Sequence, residues 1–508
     1  MPAARSWLVV CDEFAVEHAV PRELFELLFC FRAADPRGGP PPPPEPSFAG
    51  DFAELERALI EADPLARVGA ALCEDVDAEQ AELFARRVAA VDRALAGLGD
   101  ARGRLLRVGL RQRLAGMLAA PGPRAVRVRA LADFHYSQLG RLRAGPSAAG
   151  PTLAEHVARL EWREVSPGIE HGRIAGSTRA GPVHVNLLRV DPGQVRLEVH
   201  DCRDAVARGL SFADHGVELG ATAAVSGGFF LYSEPDIEPP SARFDPVGLL
   251  LDEGRVISPP VFRRGALAID EHGRVTIDRL GLEACTLVID GEAGPIELDG
   301  QQAWNRSHGR IGPGHPSAAI VGDRVLAVGR SLPIPLNGFV VRLPSGPAPT
   351  PGARVGYAPI LGARAAPLRA AIAGGPMLLE HGRPTLDLQR EEFWSSAPPV
   401  TFSQDETGDR NLLPRLAVGL DIDDRLLFAA IDGRNFARAL GMTLAEVGEL
   451  LLELGCHTAT NLDGGSSKRM VVGGIEVDLA STEIEDGDGP GSRRDVHTGV
   501  FLFAEPRS

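Results

Sequence analysis

Between residue 51 and about residue 145 the apolar positions recur every third or fourth residue. Phe84, Val88, Val91, Leu95 and Leu98 form one such stripe, and Leu106, Leu110, Leu114 and Met117 form another. An α-helix turns once in about 3.6 residues, so each stripe predicts a helix with one buried face. PGP at 121–123 ends the second helix, because proline cannot continue the ladder. Ahead of this region SWLVV (6–10) reads as a strand, and an apolar segment follows around Leu24–Phe31. The tract GGPPPPPEP at 38–46 is read as a stiff linker, with a ligand for an SH3-type groove as the alternative. GPSAAGP at 145–151 marks a boundary.

Beyond about residue 160 the period shortens to the alternation of strands broken by Gly, Pro and Asp turns. VHVNLLRV (183–190), VRLEVH (195–200), AAVSGGFF (223–230), GALAID (265–270), RVTIDRL (274–280), TLVIDG (286–291), SAAIVGDRVLAVG (317–329) and GFVVRL (338–343) all fit this pattern. One helix interrupts it late in the chain. In MTLAEVGELLLELG, Thr443 and Glu446 make a capping box, Leu444, Val447, Leu451 and Leu454 share a face, and Gly455 ends the helix. The strand CHTATNL follows at once.

These patterns predict an α+β protein: a mainly α-helical N-terminal region followed by a β-rich mixed domain with a few helices. The expected division is an N-terminal segment with its Pro-rich linker (1–50), a helical and locally basic region (51–150), and a third unit over 160–505. With 508 residues and 44% hydrophobic content, the chain is long enough for two or three cores and too apolar to be mostly disordered.

No run approaches the roughly 18 apolar residues of a membrane span, and the apolar run before Asp12 is too short for a signal-peptide core. A cytoplasmic protein without a membrane span is expected. Cys11, Cys30, Cys73, Cys202, Cys285 and Cys456 show no CxxC or Cys/His spacing, so neither a zinc site nor a disulfide framework is expected. No cofactor is expected, and a requirement for a divalent metal stays open.

The net charge of −15 argues against general nucleic-acid binding. Residues 101–145 run against this balance, with ten arginines facing one acid, Asp133. That basic stretch is either a solvated helix face or a dock for an acidic partner. Of the 53 basic residues one is lysine, Lys468.

That lysine falls in the segment Asn461-Leu462-Asp463-Gly464-Gly465-Ser466-Ser467-Lys468-Arg469-Met470, where a strand empties into a Gly-rich turn. Paired glycines let backbone approach a ligand and aim amides at it. A carboxylate, two hydroxyls and two cations within seven residues exceed what a hairpin turn needs.

NLDGGSSKRM, preceded by the helix GMTLAEVGELLLELG and by LLFAAIDGR (426–434), resembles the NAGPA-type phosphodiester glycosidase domain family. EVSPGIEHGRIAG with VNLLRVDP, AVSGGFF (224–230), IPLNGFVV (334–341), AGGPMLLEHGRP (373–384) and RLAVGLD (415–421) follow the family's order, so the resemblance spans about 160–505. The chain departs from the pattern at Ser466, where the family has a third glycine, at Lys468-Arg469, where it has small hydroxyl residues, and at Ser226, where it has Asn. Arg493 and Arg494 are the only candidates for the arginine of a C-terminal acid–arginine pair.

The resemblance implies a hydrolase that cleaves the glycosidic C–O bond of a sugar-1-phosphodiester, small-molecule or glycan. Such cleavage passes through an oxocarbenium-like state, and the departing phosphate needs cations more than a strong acid. Asp463 is the expected catalytic carboxylate, with Asp432 as second acid or orienting group. Arg415, Arg434 and Lys468 are expected on the phosphate, since guanidinium forks match phosphate oxygens and lysine adds a point charge. Ser466, Ser467 and Asn461 complete the binding set, and Gly464, Gly465, Gly227 and Gly228 would supply amides or clearance.

Duller roles compete. Asp432 could hold a turn, Arg415 could pair with Asp421, and Arg434 could cap a loop; Asn305, Arg306 and Asn337 read as turn residues. His308 and His315 are too isolated to define a metal site, so metal ligands are unknown; EIEDGDG (483–489) reads as a solvated loop, with a calcium site as the alternative. For the whole chain, the competitors are a phosphodiesterase cutting P–O bonds and a non-catalytic sugar-phosphate-binding scaffold.

Overall fold

The computed structural model describes residues 4–29, 47–120, 124–144, 150–231, 237, 242–290, 295–297, 302–357, 360–362, 366–393, 411–485, 491 and 493–504. The chain divides into two compact units. The first comprises Met1–Gly145 with Asn435–Ala437 and Glu483–Gly489; the second comprises Pro146–Arg434, Arg438–Thr482 and Pro490–Ser508. The N-terminal region is helical and the C-terminal part sheet-rich, as the hydrophobic periods predict. The Pro-rich tract, PGP at 121–123 and most of GPSAAGP lie outside the described residues, as does Asp486–Gly489 of the acidic loop.

In the first unit the helices Ala78–Ala96 and Ala101–Ala119 bury the two predicted stripes, with Val88, Val91, Leu106, Leu110 and Leu114 all inaccessible. SWLVV is not a strand. Ser6 caps the helix Trp7–Glu17 by accepting from the Val9 amide, and Trp7, Val10, Cys11, Phe14 and Ala15 form its buried face. A four-residue apolar run cannot distinguish the two periods; the continuation to Phe14 and Ala15 carries the helical one. The basic stretch meets acids of its own unit. Arg107 and Arg111 converge on Asp92, Arg104 pairs with Glu56, and Arg124 pairs with Glu74.

The second unit is built around an eight-stranded antiparallel sheet. Its order is Arg383–Pro384, Met377–Glu380, Cys456–Leu462, Arg415–Asp421, Leu426–Ile431, Gly181–Val190, Ile169–Thr178 and Trp162–Ser166. Two five-stranded sheets pack with it, one centred on Ala223–Ser226 and Thr498–Ala504, the other on Arg264–Asp270 and Leu368–Ala373.

The strand Leu426–Ile431 is buried along its whole length, and the pleat divides its side chains between two cores. Leu426, Phe428 and Ala430 join a core shared with Val225, Val500, Leu267 and Ile372, while Leu427, Ala429 and Ile431 enter a second core on the other face. Burying a Phe such as Phe428 is worth about 2–3 kcal/mol, so the register of this strand is strongly fixed. The helix Leu444–Glu453 has the predicted capping box and sets Leu444, Val447, Leu450 and Leu451 into that second core. It leads directly into the strand Cys456–Leu462, which ends at the glycine-rich segment.

Candidate functional site

Three antiparallel strands bring the candidate residues to one end of the large sheet. Leu416 pairs with Leu462 and Ala417 with Asn461, so Arg415 and Asp463, each next to that terminal pair, come to the same end of the sheet. Arg415 also pairs with Ile431, which sets Asp432 one residue beyond. On the far side of that strand, Val185 pairs with Ile431 and the Asp432 amide donates to His184 O at 2.9 Å.

Glycines allow the connecting segments to close on this sheet end. A Cβ on Gly464 would lie 2.7 Å from Pro414 O and 3.0 Å from the Arg415 Cα, a collision with backbone that cannot move aside cheaply. Gly465 has φ +57° and donates its amide to Pro414 O at 2.8 Å. A Cβ on Gly228 would meet Ala373 O at 2.7 Å. The Gly227 amide donates to Thr498 O and the Gly228 amide to Thr498 Oγ1, while Gly227 O accepts from the Asp463 amide at 2.9 Å. These amides hold the loops to one another.

Lys468 lies at the centre of the most buried polar cluster in this region. Its ammonium donates to Asp432 Oδ1 at 2.5 Å, to Asp478 Oδ2 at 2.8 Å and to Leu479 O at 3.3 Å, so its three donors are engaged. Asp432 Oδ1 also accepts the Leu479 amide at 3.0 Å, and its Oδ2 lies 2.6 Å from His184 Nδ1. Asp478 Oδ1 accepts the Met470 amide at 2.7 Å. The side chains of Asp432, Lys468 and Asp478 are fully buried, whereas His184 keeps 11% of its side-chain surface. Buried charges persist only when paired and hydrogen-bonded, and here one ammonium bridges two carboxylates.

Arg434 enters the same region from a strained backbone, with φ +58° at a bulky residue. Its Nη1 donates to Ser466 Oγ at 3.2 Å and to Ser481 O at 3.1 Å. Ser466 thus has a local partner. Ser467 is buried in the same short turn. Arg415 directs Nε to Met442 O and Nη2 to Asn411 O, while Asp421 pairs with Arg425. Asn461 is a strut: its Nδ2 donates to Gly375 O at 2.9 Å and its backbone pairs with Gly375 and Pro376.

Arg469 is buried, donates to the carbonyls of Ser466, Lys468 and Arg494, and has its pKa lowered by desolvation. Arg493 donates to Asp478 O at 3.0 Å and pairs with Glu476. Asn305 Nδ2 donates to Val261 O and Arg306 Nε to Ile334 O, so both tie their turn to other segments of the chain.

The structure therefore joins Asp432, Lys468, Arg434 and Ser466 through a buried network around Asp478, Leu479 and Ser481, and brings Arg415 and Asp463 to the same sheet end. His184, Asp478 and Thr498 are the participants that the sequence motifs do not single out. His184 sits in VHVNLLRV as an ordinary strand residue, and Asp478 follows a hairpin with no motif around it. Among the described residues no group of three or more His, Cys, Asp or Glu is placed to hold a metal ion. No helix among them is long and apolar enough to cross a membrane.

Residues 347–503 match the family model of phosphodiester glycosidase, NAGPA. The match covers less than a third of the chain, but it contains Arg415, Asp432, Arg434, Asp463, Lys468 and Asp478; Gly227, Gly228 and His184 lie ahead of it. No curated protein matches the sequence. Among solved structures, a hypothetical protein from Synechocystis is 20% identical with a TM-score of 0.44, covering 68% of this chain. This chain spans 64% of that protein's length. A Burkholderia pseudomallei protein bearing an export designation is 24% identical with a TM-score of 0.43, covering 65% of this chain and 75% of its own. The catalytic domain of zebrafish N-acetylglucosamine-1-phosphodiester alpha-N-acetylglucosaminidase, auto-inhibited by its pro-peptide, is 15% identical with a TM-score of 0.40, covering 71% of this chain and 98% of its own.

Proposed function

We propose that this chain hydrolyses a sugar-1-phosphodiester at the glycosidic C–O bond. The observation that carries this reading is the gathering of Arg415, Asp432 and Asp463 at one sheet end, with Arg434 two residues beyond Asp432, inside the segment that matches the phosphodiester glycosidase family.

A carboxylate and guanidinium groups at one sheet end suit a substrate whose two halves develop opposite charge. As C–O cleavage proceeds, positive charge builds on the sugar ring and negative charge on the departing phosphate oxygen. In this reading Asp463 stabilises the first. Arg415 and Arg434 hold the second, with Gly464 and Gly465 keeping the loop close to both. Lys468 has three internal acceptors, so it acts as the counterion of Asp432 and Asp478 rather than as a ligand for phosphate. No metal is invoked for these roles.

Hydrolysis in oxygen-18 water tests the bond cleaved. Label in the released sugar supports C–O cleavage, and label in the phosphate product establishes the phosphodiesterase alternative. A binding protein without turnover is the second reading, favoured by the mutual pairing of Lys468, Asp432 and Asp478. Calorimetric binding of a sugar phosphodiester with no product over hours would establish it.

A further inference from the structure

Asp432 is the second acid of the candidate site, yet its geometry leaves it no route to a substrate. Oδ1 accepts Lys468 Nζ and the Leu479 amide, Oδ2 accepts from His184 Nδ1, and the side chain has no exposed surface. The chain of contacts Asp478–Lys468–Asp432–His184 reaches accessible surface at one member, His184.

The His184 ring is held in a defined tautomer. A carboxylate only accepts, so Nδ1 carries the proton and the lone pair of the neutral ring lies at Nε2. Among the described residues Nε2 has no hydrogen-bond partner, and it is absent from the buried unsatisfied atoms. On the neighbouring strand Ala175 faces His184, and Arg173 stands two pairs further along, opposite Asn186; His171 bonds Asn186 from the same strand. The charged group in contact with the ring is Asp432, with Lys468 and Asp478 behind it.

We infer that His184 is the proton acceptor of the hydrolytic site, and that Asp432 is its positioning residue. This rests on the hydrolase reading above. As the water oxygen bonds to the anomeric carbon, one water proton passes to His184 Nε2. The C–O bond breaks with its electron pair going to the phosphate oxygen. The products are the free sugar and a phosphate monoester, and the proton leaves His184 for solvent or for that phosphate. Asp432 balances the imidazolium through Nδ1–H and does not itself take the proton. Lys468, bonded to Asp478, holds Asp432 in place.

The test is a comparison of wild type, His184→Gln and Asp432→Asn on methyl phosphodiesters of glucose-1-phosphate, N-acetylglucosamine-1-phosphate and mannose-1-phosphate. General-base loss predicts a fall in kcat of about 10²- to 10⁴-fold for His184→Gln with KM little changed, and loss of the acid limb of the kcat pH profile. Added imidazole restores part of the rate to His184→Ala. Nitrogen-15 NMR of the imidazole expects the Nδ1–H tautomer in wild type and its loss in Asp432→Asn. Wild-type kcat and an unchanged acid limb in His184→Gln would overturn this assignment and leave the hydrolase reading intact. Absence of wild-type turnover on all three phosphodiesters would overturn both.

Discussion

The Lys468 ammonium lies 2.5 Å from the Asp432 carboxylate, and both side chains are fully buried although 36 residues separate them in sequence. A lysine that gripped phosphate in an open cleft would leave stability largely unchanged when replaced. A lysine between two buried carboxylates has the opposite signature. Lys468→Met should cost about 3–5 kcal/mol, because Asp432 and Asp478 are left as uncompensated buried charges. Denaturant unfolding measures this, and Lys468→Met combined with Asp478→Asn should recover part of the loss. A single variant within about 0.5 kcal/mol of wild type would show that the ammonium is not the counterion described.

Asp463 follows the strand Cys456–Leu462 at the sheet end that carries Arg415. Asp463→Asn keeps the shape and removes the charge, so release of free sugar should fall by at least about 100-fold while the unfolding midpoint moves little. Product release followed by chromatography, beside a thermal melt, separates the two effects. Normal turnover would remove Asp463 from the chemistry.

Gly464→Ala places a methyl 2.7 Å from Pro414 O. The loop must move away from the strand that carries Arg415, at a cost of about 1–3 kcal/mol. Activity should drop further than that destabilisation explains, because the displaced loop carries Asp463 away from this sheet end. Gly473→Ala, where nothing lies within 4 Å but φ is +57°, gives the strain-only comparison.

His497 is buried between Phe230 and Phe244, with ring centroids 4.5 and 4.7 Å away, and desolvation with the nearby Arg203 lowers its pKa to about 4. The unfolded chain titrates near the ordinary value of about 6.5, so between pH 6.5 and 4 it binds more protons than the folded protein. Stability from this group is therefore complete above about pH 6.5 and declines as pH falls toward 4, by up to about 3 kcal/mol. His497→Phe should flatten the slope of stability against pH in that window, read from urea midpoints. An unchanged slope would place the acid sensitivity elsewhere. His135, fully buried in the first unit with its pKa lowered to about 3, adds a change of the same sign that continues below pH 4.

Much of the architecture was readable from side-chain periods. LLFAAI before Asp432 and the Thr443 capping box delimit the elements that deliver the site, because strong local patterns agree there with the tertiary fold. SWLVV was misread because a short apolar run fits either period. The identity of the candidate residues was visible in NLDGGSSKRM and DGR, but their partners were not. That Lys468 would meet Asp478 depends on a hairpin folding back from Met470 to Glu476, and that Asp432 would meet His184 depends on pairing strands 248 residues apart. Contacts of that kind follow from sheet order, which no local pattern carries.

The enclosure of Lys468 also gives the chain a built-in reporter. Among 53 basic side chains it is the only primary amine, and it has no accessible surface. An amine-selective acylating reagent therefore has one side-chain target, reachable only while the surrounding segments are open. The rate of its acylation reads the opening equilibrium of this one cluster, without an engineered label and without interference from the arginines. Any ligand that binds preferentially to the closed arrangement will slow that reaction in proportion to its occupancy.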